Sequence, residues 1–178
     1  MADELLDIVN EDDEVTHQEM RSVVHQHGLW HRGAHVFLFD ENGDLLVQKR
    51  SADRIHSPSL LDCSVSEHVK AGESYQAAAL RGLREEMGVT GINLTPLVKF
   101  RMNYGLNDNE VSALYKGTVN PAAVNFDPVE ISEISYRSMD ELRSLMESQP
   151  DLFCGWFIQI LKWYWSEPAN MSVYKDLP

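Results

Sequence analysis

The sequence predicts an α/β fold in which a mixed β-sheet lies between α-helices. Three observations support this: strand-like segments alternate with segments of helical period, an Asn-Gly pair joins two strand-like segments, and a helix with an apolar face ends at a glycine. The 178 residues are 43% hydrophobic, which suffices for one well-filled core. We expect one domain over residues 1–178, with its core at about 30–165 and a strand and helix of residues 1–29 packed on it.

The N-terminal segment is expected to contain one strand and one helix. Residues 5–9 are predicted to form a short strand, and the acidic residues 11–14 after it suggest a turn with a solvated face. Thr16 and Glu19 have the spacing of a capping box, so we predict a helix from Thr16 to about Val24.

A β-hairpin is predicted next. Residues 34–39 and 45–49 are rich in β-branched, aromatic and leucine residues, and they flank the pair Asn42-Gly43. An Asn-Gly pair between two such segments is a strong hairpin signal, because both residues tolerate the positive φ angles of a tight turn. Two antiparallel strands follow from this pattern.

Three further strands are expected from the same residue types. One is predicted near residues 63–65, where the loop-like segment 51–66 leads into a short strand. The other two are predicted at 94–102 and 111–119, with 103–109 as the connection between them.

Three helices complete the predicted fold. The first covers residues 74–87, where apolar residues recur at helical spacing until Gly88. Ser138 and Glu141 form a capping box that opens a second helix to about Glu147, and an aromatic-rich third helix covers about 152–165.

The chain is strongly acidic. It carries 28 acidic and 15 basic residues, a formal net charge of −13 at pH 7. Nucleic-acid polymers bind to clustered positive charge, so we expect no DNA or RNA partner. The excess acid is explained either by a solvated surface or by a local cluster that binds divalent cations.

The sequence also indicates where the protein works. No basic N-terminal segment followed by an apolar core is present, and no stretch stays apolar for the length that a bilayer requires. The two cysteines, Cys63 and Cys154, match no disulfide framework or zinc spacing. We therefore expect a cytoplasmic protein with reduced thiols and no membrane partner.

The helix over residues 74–87 carries unusual charge near its C-terminal end. Glu85 and Glu86 lie where the helix dipole disfavours negative charge, so they need a compensating cation. Arg81 can reach Glu85 across one turn, and a divalent metal could serve Glu86. The alternative is an ordinary solvent-exposed helix face with one Arg–Glu pair.

The surrounding run resembles the box motif of the Nudix family. The pattern Gly-x5-Glu-x7-Arg-Glu-hydrophobic-x-Glu-Glu-x-Gly-hydrophobic is matched over residues 67–89, with Glu73, Arg81 and Gly88 at its structural positions. The resemblance implies a Nudix fold with a loop-helix-loop in which Glu85 and Glu86 bind Mg²⁺ or Mn²⁺, and in which Glu73 holds Arg81.

Two positions depart from the box. Glu67 stands where the pattern has its first glycine, and Gly82 stands where it has a glutamate that usually joins the metal cluster. A glycine inside a helix costs about 1 kcal/mol relative to alanine, so we expect a close approach of substrate or backbone at Gly82.

A second resemblance, to the type I isopentenyl-diphosphate isomerases of the same superfamily, covers nearly the whole chain. It implies a second metal site of mixed imidazole and carboxylate ligands, able to hold Mg²⁺, Mn²⁺ or Zn²⁺, made of His25, His31, His68, Asp108 and Glu110. Each histidine alone would more often be a surface or core residue; the joint match supports the site.

The same resemblance assigns substrate contacts. Arg21, Arg50 and Arg54 lie near positions that contact a diphosphate, and Trp156 lies where a tryptophan face stabilises a carbocation. Ser66 stands where these isomerases have a catalytic cysteine, which exchanges a proton with carbon more readily than a serine hydroxyl does.

Three functions therefore remain open. We favour a metal-dependent hydrolase of a small nucleoside or isoprenoid diphosphate, in which Glu85 and Glu86 bind the metal that clamps the diphosphate. The base is Glu110, Glu85 or a water held by a histidine. The first alternative is isopentenyl-diphosphate isomerisation, with Ser66, Glu110 and Trp156 around the double bond. The second is a sensor that binds a diphosphate without turnover. The C-terminal aromatic residues 163–165 leave a homodimer open.

Overall fold

A computed structural model describes residues 3–178 of the chain. Within that range the strands are β1 Leu5–Val9, β2 Val15–Met20, β3 Trp30–Phe39, β4 Leu45–Arg50, β5 Leu61–Asp62, β6 Val65–His68, β7 Thr95–Gly105, β8 Asp108–Thr118, β9 Ile131–Arg137 and β10 Ser172–Val173. The α-helices are α1 Arg21–His27, α2 Tyr75–Met87, α3 Met139–Ser148 and α4 Gly155–Tyr164, with single 3-10 turns at Pro121–Ala123 and Pro150–Leu152. None of these helices is long and apolar enough to cross a membrane.

Strand β3 organises the sheet. One edge of β3 pairs in parallel with β8 from Trp30 to Phe39, and the other edge pairs antiparallel with β6 over residues 33–36. Beyond these contacts β3 meets β4 at Phe39 and β1 at His31. Because parallel and antiparallel pairs occur together, the sheet is mixed. The polar residues of β3, β6 and β8 are brought side by side, because β3 lies between β6 and β8.

Helices cover both faces of the sheet, as the predicted α/β class requires. Side chains of β3 alternate between faces, so that Val36 joins the core under α2 while Phe37 joins the core under α3 and α4. Ala78 and Leu83 fill the first core, and Phe157 fills the second. The expected arrangement of a mixed sheet between helices is confirmed.

Local sequence signals located several elements correctly. The hairpin of β3 and β4 turns at the Asn-Gly pair, and α3 has both hydrogen bonds of the Ser138 capping box. Helix α2 begins after Ser74, whose side chain accepts a hydrogen bond from the backbone N–H of Ala77, and ends at Gly88 with φ of 66°. Each of these signals involves residues within four positions of each other.

The helix predicted from Thr16 to about Val24 is wrong at its start. Residues 15–20 form β2, which pairs with β1, and α1 begins only at Arg21. The Thr16 hydroxyl donates to the backbone carbonyl of Ile8 instead of capping a helix. Pairing with the preceding strand has outweighed the capping-box spacing.

Other boundaries also differ from the sequence prediction. The predicted connection 103–109 is mostly strand, because β7 and β8 extend through it and leave a short turn at residues 106–107. The strand expected near 63–65 is instead divided between β5 and β6, and the last helix begins at Gly155 after a 3-10 turn. Strands β9 and β10 were not predicted.

The acidic residues 11–14 are not all solvated, which corrects the prediction of an exposed acidic turn. Asp13 is buried, and its carboxylate accepts hydrogen bonds from Arg32 at 2.7 Å, Tyr75 at 2.9 Å and Lys99 at 3.1 Å. This carboxylate therefore ties the N-terminal hairpin to β3, α2 and β7.

Candidate metal and diphosphate site

Three histidines and two carboxylates meet at one end of β3. Cross-strand register explains the meeting, because His31 of β3 pairs with Glu110 of β8, and Gly33 of β3 pairs with His68 of β6. The side-chain distances are 3.6 Å for His25 Nδ1 to Asp108 Oδ1, 3.7 Å for His31 Nε2 to Glu110 Oε1, and 3.8 Å for His68 Nε2 to Glu110 Oε1.

Several atoms of this cluster are buried without a hydrogen-bond partner. They are Nε2 of His25, Nε2 of His31 and Oδ1 of Asp108. The Nδ1 atom of His31 lies 3.0 Å from the carbonyl of Leu29, an arrangement in which Nδ1 carries the proton and Nε2 presents a lone pair. Unpaired buried polar atoms are costly, and a cation between them would remove that cost. The cluster therefore has the donors and the geometry to hold a metal ion.

Gly33 makes room for the cluster. A Cβ atom at this position would collide with Oε2 of Glu110 and approach the Ser112 hydroxyl to 2.7 Å. Glycine at residue 33 therefore allows the Glu110 carboxylate to fold back over β3 toward the histidines.

Burial sets the protonation of the cluster. It lowers the pKa of His31 to about 4 and the pKa of His68 well below its ordinary value, so both imidazoles are neutral at pH 7. It also raises the pKa of Asp108 and, more strongly, that of Glu110. A bound divalent cation would favour the ionised carboxylates and keep the imidazoles unprotonated.

A chain of hydrogen bonds leads from this cluster to Ser66. Ser112 donates to Oε2 of Glu110 at 2.8 Å, and Tyr104 donates to Ser112 at 2.9 Å. His35 bridges Tyr104 at 2.8 Å and Ser66 at 3.0 Å. The Ser66 hydroxyl in turn donates to Oδ1 of Asp62 at 3.1 Å.

Helix α2 contributes the box residues next to this cluster. Arg81 binds Glu73 through two nitrogens, at 3.1 and 3.0 Å, and donates to the backbone carbonyl of His68 at 2.7 Å. Its Nη1 atom also lies 3.0 Å from Glu67 and 3.4 Å from Glu85. The guanidinium thus joins the box helix to the strand that carries His68.

The two box glutamates have different environments. Glu85 faces the pocket with about half of its side chain exposed, whereas Glu86 is buried and accepts a hydrogen bond from Gln48 at 3.0 Å. Burial and the charge of Glu67 raise the pKa of Glu86 well above its ordinary value. Among the described residues, the groups that could hold a metal are formed by the histidine cluster and do not include Glu85 or Glu86.

A comparison with known families accounts for this combination of box and fold. The sequence pattern of the NUDIX domain matches residues 29–157. The chain belongs to the Nudix family. Both the predicted family and the predicted Nudix fold are thereby confirmed.

Relatives of this Nudix chain are enzymes of two kinds. The isopentenyl-diphosphate Delta-isomerase 2 of Photorhabdus laumondii is 32% identical over 164 residues, which cover 89% of this chain and 91% of the relative. An uncharacterized Nudix hydrolase of Streptomyces coelicolor is 39% identical over 125 residues, which cover 67% of this chain and 69% of the relative. The expectation of an enzyme is confirmed, and both the hydrolase and the isomerase alternative fit these relatives.

A solved structure shows the same architecture. The crystal structure of DR0079 from Deinococcus radiodurans has a TM-score of 0.78 and 27% identity, and the similarity covers 89% of this chain and 98% of that one. The MutT protein of Methanosarcina mazei, at 18% identity and a TM-score of 0.63, shares the fold.

The pocket of the Nudix protein, about 250 Å³ in volume, opens beside the histidine cluster and is lined by basic, acidic and aromatic side chains. Trp156 and Tyr104 stack with ring centres 5.7 Å apart and form an aromatic wall. The indole N–H of Trp156 donates to Asp62 at 2.7 Å.

The three arginines assigned to diphosphate contacts all line this pocket. Arg50 forms an ion pair with Asp62 at 3.0 Å and lies over the ring of Trp156, 5.5 Å from its centre. Arg54 pairs with Glu130 at 2.9 Å, and Arg21 lies on helix α1 beside His25. Arg50 and Arg54 therefore already have carboxylate partners.

Several pocket residues of this Nudix protein were not predicted from the sequence. His35 is buried in β3, and a histidine within the otherwise apolar segment 34–39 was an available signal. Tyr104 was assigned to a loop, and Asp62 received no role. The contacts of His35 with Ser66 and Tyr104, and of Asp62 with Trp156, join residues 31 to 94 positions apart, so local spacing does not reveal them.

Proposed function

We propose that this Nudix protein hydrolyses the diphosphate linkage of a small organic diphosphate with the help of divalent cations. The supporting observation is the side chain at residue 66, which lines the pocket. Ser66 presents a hydroxyl held between Asp62 and His35, while the thiols of Cys63 and Cys154 are fully buried and do not line the pocket. Attack by water on phosphorus requires no thiol, whereas proton transfer to carbon is much harder for a serine hydroxyl than for a cysteine.

The chain's residues have separate tasks in this proposal. Arg21, Arg50 and Arg54 contact phosphate oxygens, and the aromatic wall excludes water from the organic group. His25, His31, His68, Asp108 and Glu110 would hold one cation, and Glu85 and Glu86 would bind a second one. A bound cation supplies Lewis-acid polarisation of the phosphate oxygens. Glu110 accepts a proton from the attacking water at a carboxylate oxygen, and Ser112 and Tyr104 hold that carboxylate in place.

The finer assignments belong to the same proposal. Mg²⁺ or Mn²⁺ suits the carboxylates of the box, and Zn²⁺ is an alternative ion for the histidine cluster. We further propose a cytoplasmic enzyme that acts on free small molecules and not on nucleic-acid polymers. A homodimer through the C-terminal aromatic residues stays open, although Trp163, Tyr164 and Trp165 pack partly against the chain's own core.

Isopentenyl-diphosphate isomerisation is the second candidate. The aromatic wall formed by Trp156 and Tyr104 favours it, because stacked rings beside Ser66 could stabilise a cation on a small hydrocarbon group. Sequence similarity to proteins named as isomerases extends over most of the chain and also supports isomerisation. A thiol in the position of Ser66 is the feature that this candidate lacks.

One assay separates the candidates. The protein is incubated in deuterated water with Mg²⁺ and a trace of Zn²⁺, together with isopentenyl diphosphate or with a panel of nucleoside and other prenyl diphosphates. Release of phosphate or pyrophosphate supports hydrolysis, whereas deuterium entering isopentenyl diphosphate without such release overturns it in favour of isomerisation. Saturable binding with neither signal would indicate a diphosphate sensor.

A further inference from the structure

The two departures from the Nudix box lie in contact with each other. Gly82 of α2 faces Glu67 of β6 so closely that a Cβ atom at residue 82 would lie 2.6 Å from Cγ of Glu67 and would also collide with the Val65 side chain. The box pattern has glutamate at position 82 and glycine at position 67. This chain has the reverse pair, so the two changes amount to one exchange of a carboxylate between neighbouring elements.

The exchanged carboxylate lies toward the pocket. Oε2 of Glu67 is 3.0 Å from Nη1 of Arg81, and Oε2 of Glu85 is 3.4 Å from the same nitrogen. Glu67 and Glu85 both line the pocket. The strand residue therefore presents its carboxylate beside a box glutamate, on the side of α2 where residue 82 would have presented one.

The charges around Arg81 are unbalanced. Glu73 occupies Nε and Nη2 of the guanidinium, which leaves Nη1 to be shared by Glu67 and Glu85. Glu67 is only 16% exposed, so water screens its charge poorly. Arg84 also pairs with Glu85 at 3.1 Å, so two guanidinium groups face three carboxylates, and the remaining negative charge would be balanced by a cation carried by a diphosphate.

We propose that Glu67 is a catalytic residue that replaces the box glutamate absent at Gly82, binding a divalent cation on the diphosphate together with Glu85. This proposal rests on the proposed hydrolysis and names the carboxylate that the box helix itself lacks. It also explains why residue 82 is glycine, since β6 and the Glu67 side chain fill the space beside the helix.

The first test compares Glu67→Gln with a matched control, Glu4→Gln. Glu4 also lines the pocket but pairs with Lys70 at 3.0 Å, so both substitutions remove one pocket carboxylate. Mn²⁺ binding is followed by electron paramagnetic resonance, alongside hydrolysis and thermal unfolding. We expect Glu67→Gln to weaken one class of Mn²⁺ site at least 10-fold and to lower kcat/KM about 100-fold, with Glu4→Gln within 3-fold of the parent and the histidine-cluster ion retained in both.

The outcomes are distinguishable. Unchanged Mn²⁺ affinity in Glu67→Gln overturns this proposal, whatever the protein hydrolyses. Weakened Mn²⁺ binding in a protein that hydrolyses no diphosphate contradicts the proposed function and leaves Glu67 assigned as an ion ligand. If Glu67→Gln does not fold, Glu67→Ala provides the same comparison, with the same loss of Mn²⁺ affinity expected.

A transplant tests the exchange directly. Val65→Ala combined with Glu67→Gly opens the space beside α2, and adding Gly82→Glu to this pair returns the carboxylate to the helix. We expect the triple variant to regain at least 10-fold in Mn²⁺ affinity over the double variant. Equal affinity of the folded double and triple variants would show that the two positions are not equivalent and would overturn the exchange.

Discussion

Ser66 and His35 are hydrogen-bonded at 3.0 Å between directly paired positions of β6 and β3. The His35 imidazole also contacts the Tyr104 hydroxyl at 2.8 Å. It therefore connects the Ser66 hydroxyl to the series of hydrogen bonds that ends at Glu110. A side chain at residue 66 therefore lies between the His35 imidazole and the Asp62 carboxylate, and this relationship determines what a substitution there should do.

Ser66→Cys should raise isomerase activity. A thiol beside the His35 imidazole can give up its proton more readily than a hydroxyl can, and a positioned acid-base group contributes about 10²- to 10⁴-fold. We expect deuterium incorporation into isopentenyl diphosphate to rise about 100-fold over the parent, while Ser66→Ala shows no rise. Equal incorporation in the cysteine and alanine variants would remove isomerisation as a candidate.

Metal binding should stabilise the protein through the histidine cluster. An ion at about one hundred times its Kd adds about 2.7 kcal/mol to the unfolding free energy, or roughly 5–10 °C in Tm for a chain of this size. We expect Mn²⁺ to raise Tm by this amount over a sample in EDTA, and His31→Ala to lose most of the increase. His17, which is exposed on β2, provides the control, and a Tm shift that survives His31→Ala would contradict the site.

Burial of His35 should make the protein less stable in acid. Its pKa is lowered by burial to about 4, against 6.5 in an unfolded chain, so below pH 6.5 the unfolded state binds a proton that the native state does not. The contribution of His35 to the free energy of unfolding is therefore complete above pH 6.5, and it falls by up to about 3 kcal/mol as the pH approaches 4. Urea unfolding in EDTA at pH 7 and pH 5 should show a smaller loss for His35→Asn than for the parent or for His17→Asn. An equal loss in the parent and both variants would show that His35 is not the source of the acid sensitivity.

Asp13 should be a major contributor to stability. Its carboxylate is the shared partner of Arg32, Lys99 and Tyr75, so Asp13→Asn leaves two cations without their counter-charge. Breaking a buried pair on one side costs about 3–5 kcal/mol. Urea unfolding should show a loss of that size, with Asp12→Asn, an exposed neighbour, nearly unchanged. A loss below about 1 kcal/mol would mean that solvent screens the cluster.

Gly82→Ala should destabilise the protein although alanine favours helices. Helix propensity gains about 1 kcal/mol, whereas inserting a methyl group against Val65 and Glu67 costs about 1–3 kcal/mol. Gly155→Ala is the matched control, because a Cβ atom there meets nothing within 4 Å. Chemical denaturation should show a net loss for Gly82→Ala and none for Gly155→Ala; a gain at residue 82 would show that β6 can move away from α2.

Prediction from sequence succeeded where neighbouring residues carry the signal. The spacing from Glu73 to Gly88 led to the box helix, and Ser138 with Glu141 led to α3. It failed where strand pairing competes with a capping signal, as at Thr16, whose segment pairs with β1. The five residues of the histidine cluster were named from a family resemblance, and the structure brings them together; their roles in binding metal stay a prediction.

The sequence by itself determined the family, the hairpin and the capped helices, because each depends on residues close along the chain. Only the tertiary structure decided that His35 contacts Ser66, that Asp13 is buried, and that Glu67 fills the space beside Gly82. These relationships depend on strand register and on the packing of β6 against α2, which are set by side chains far apart in sequence.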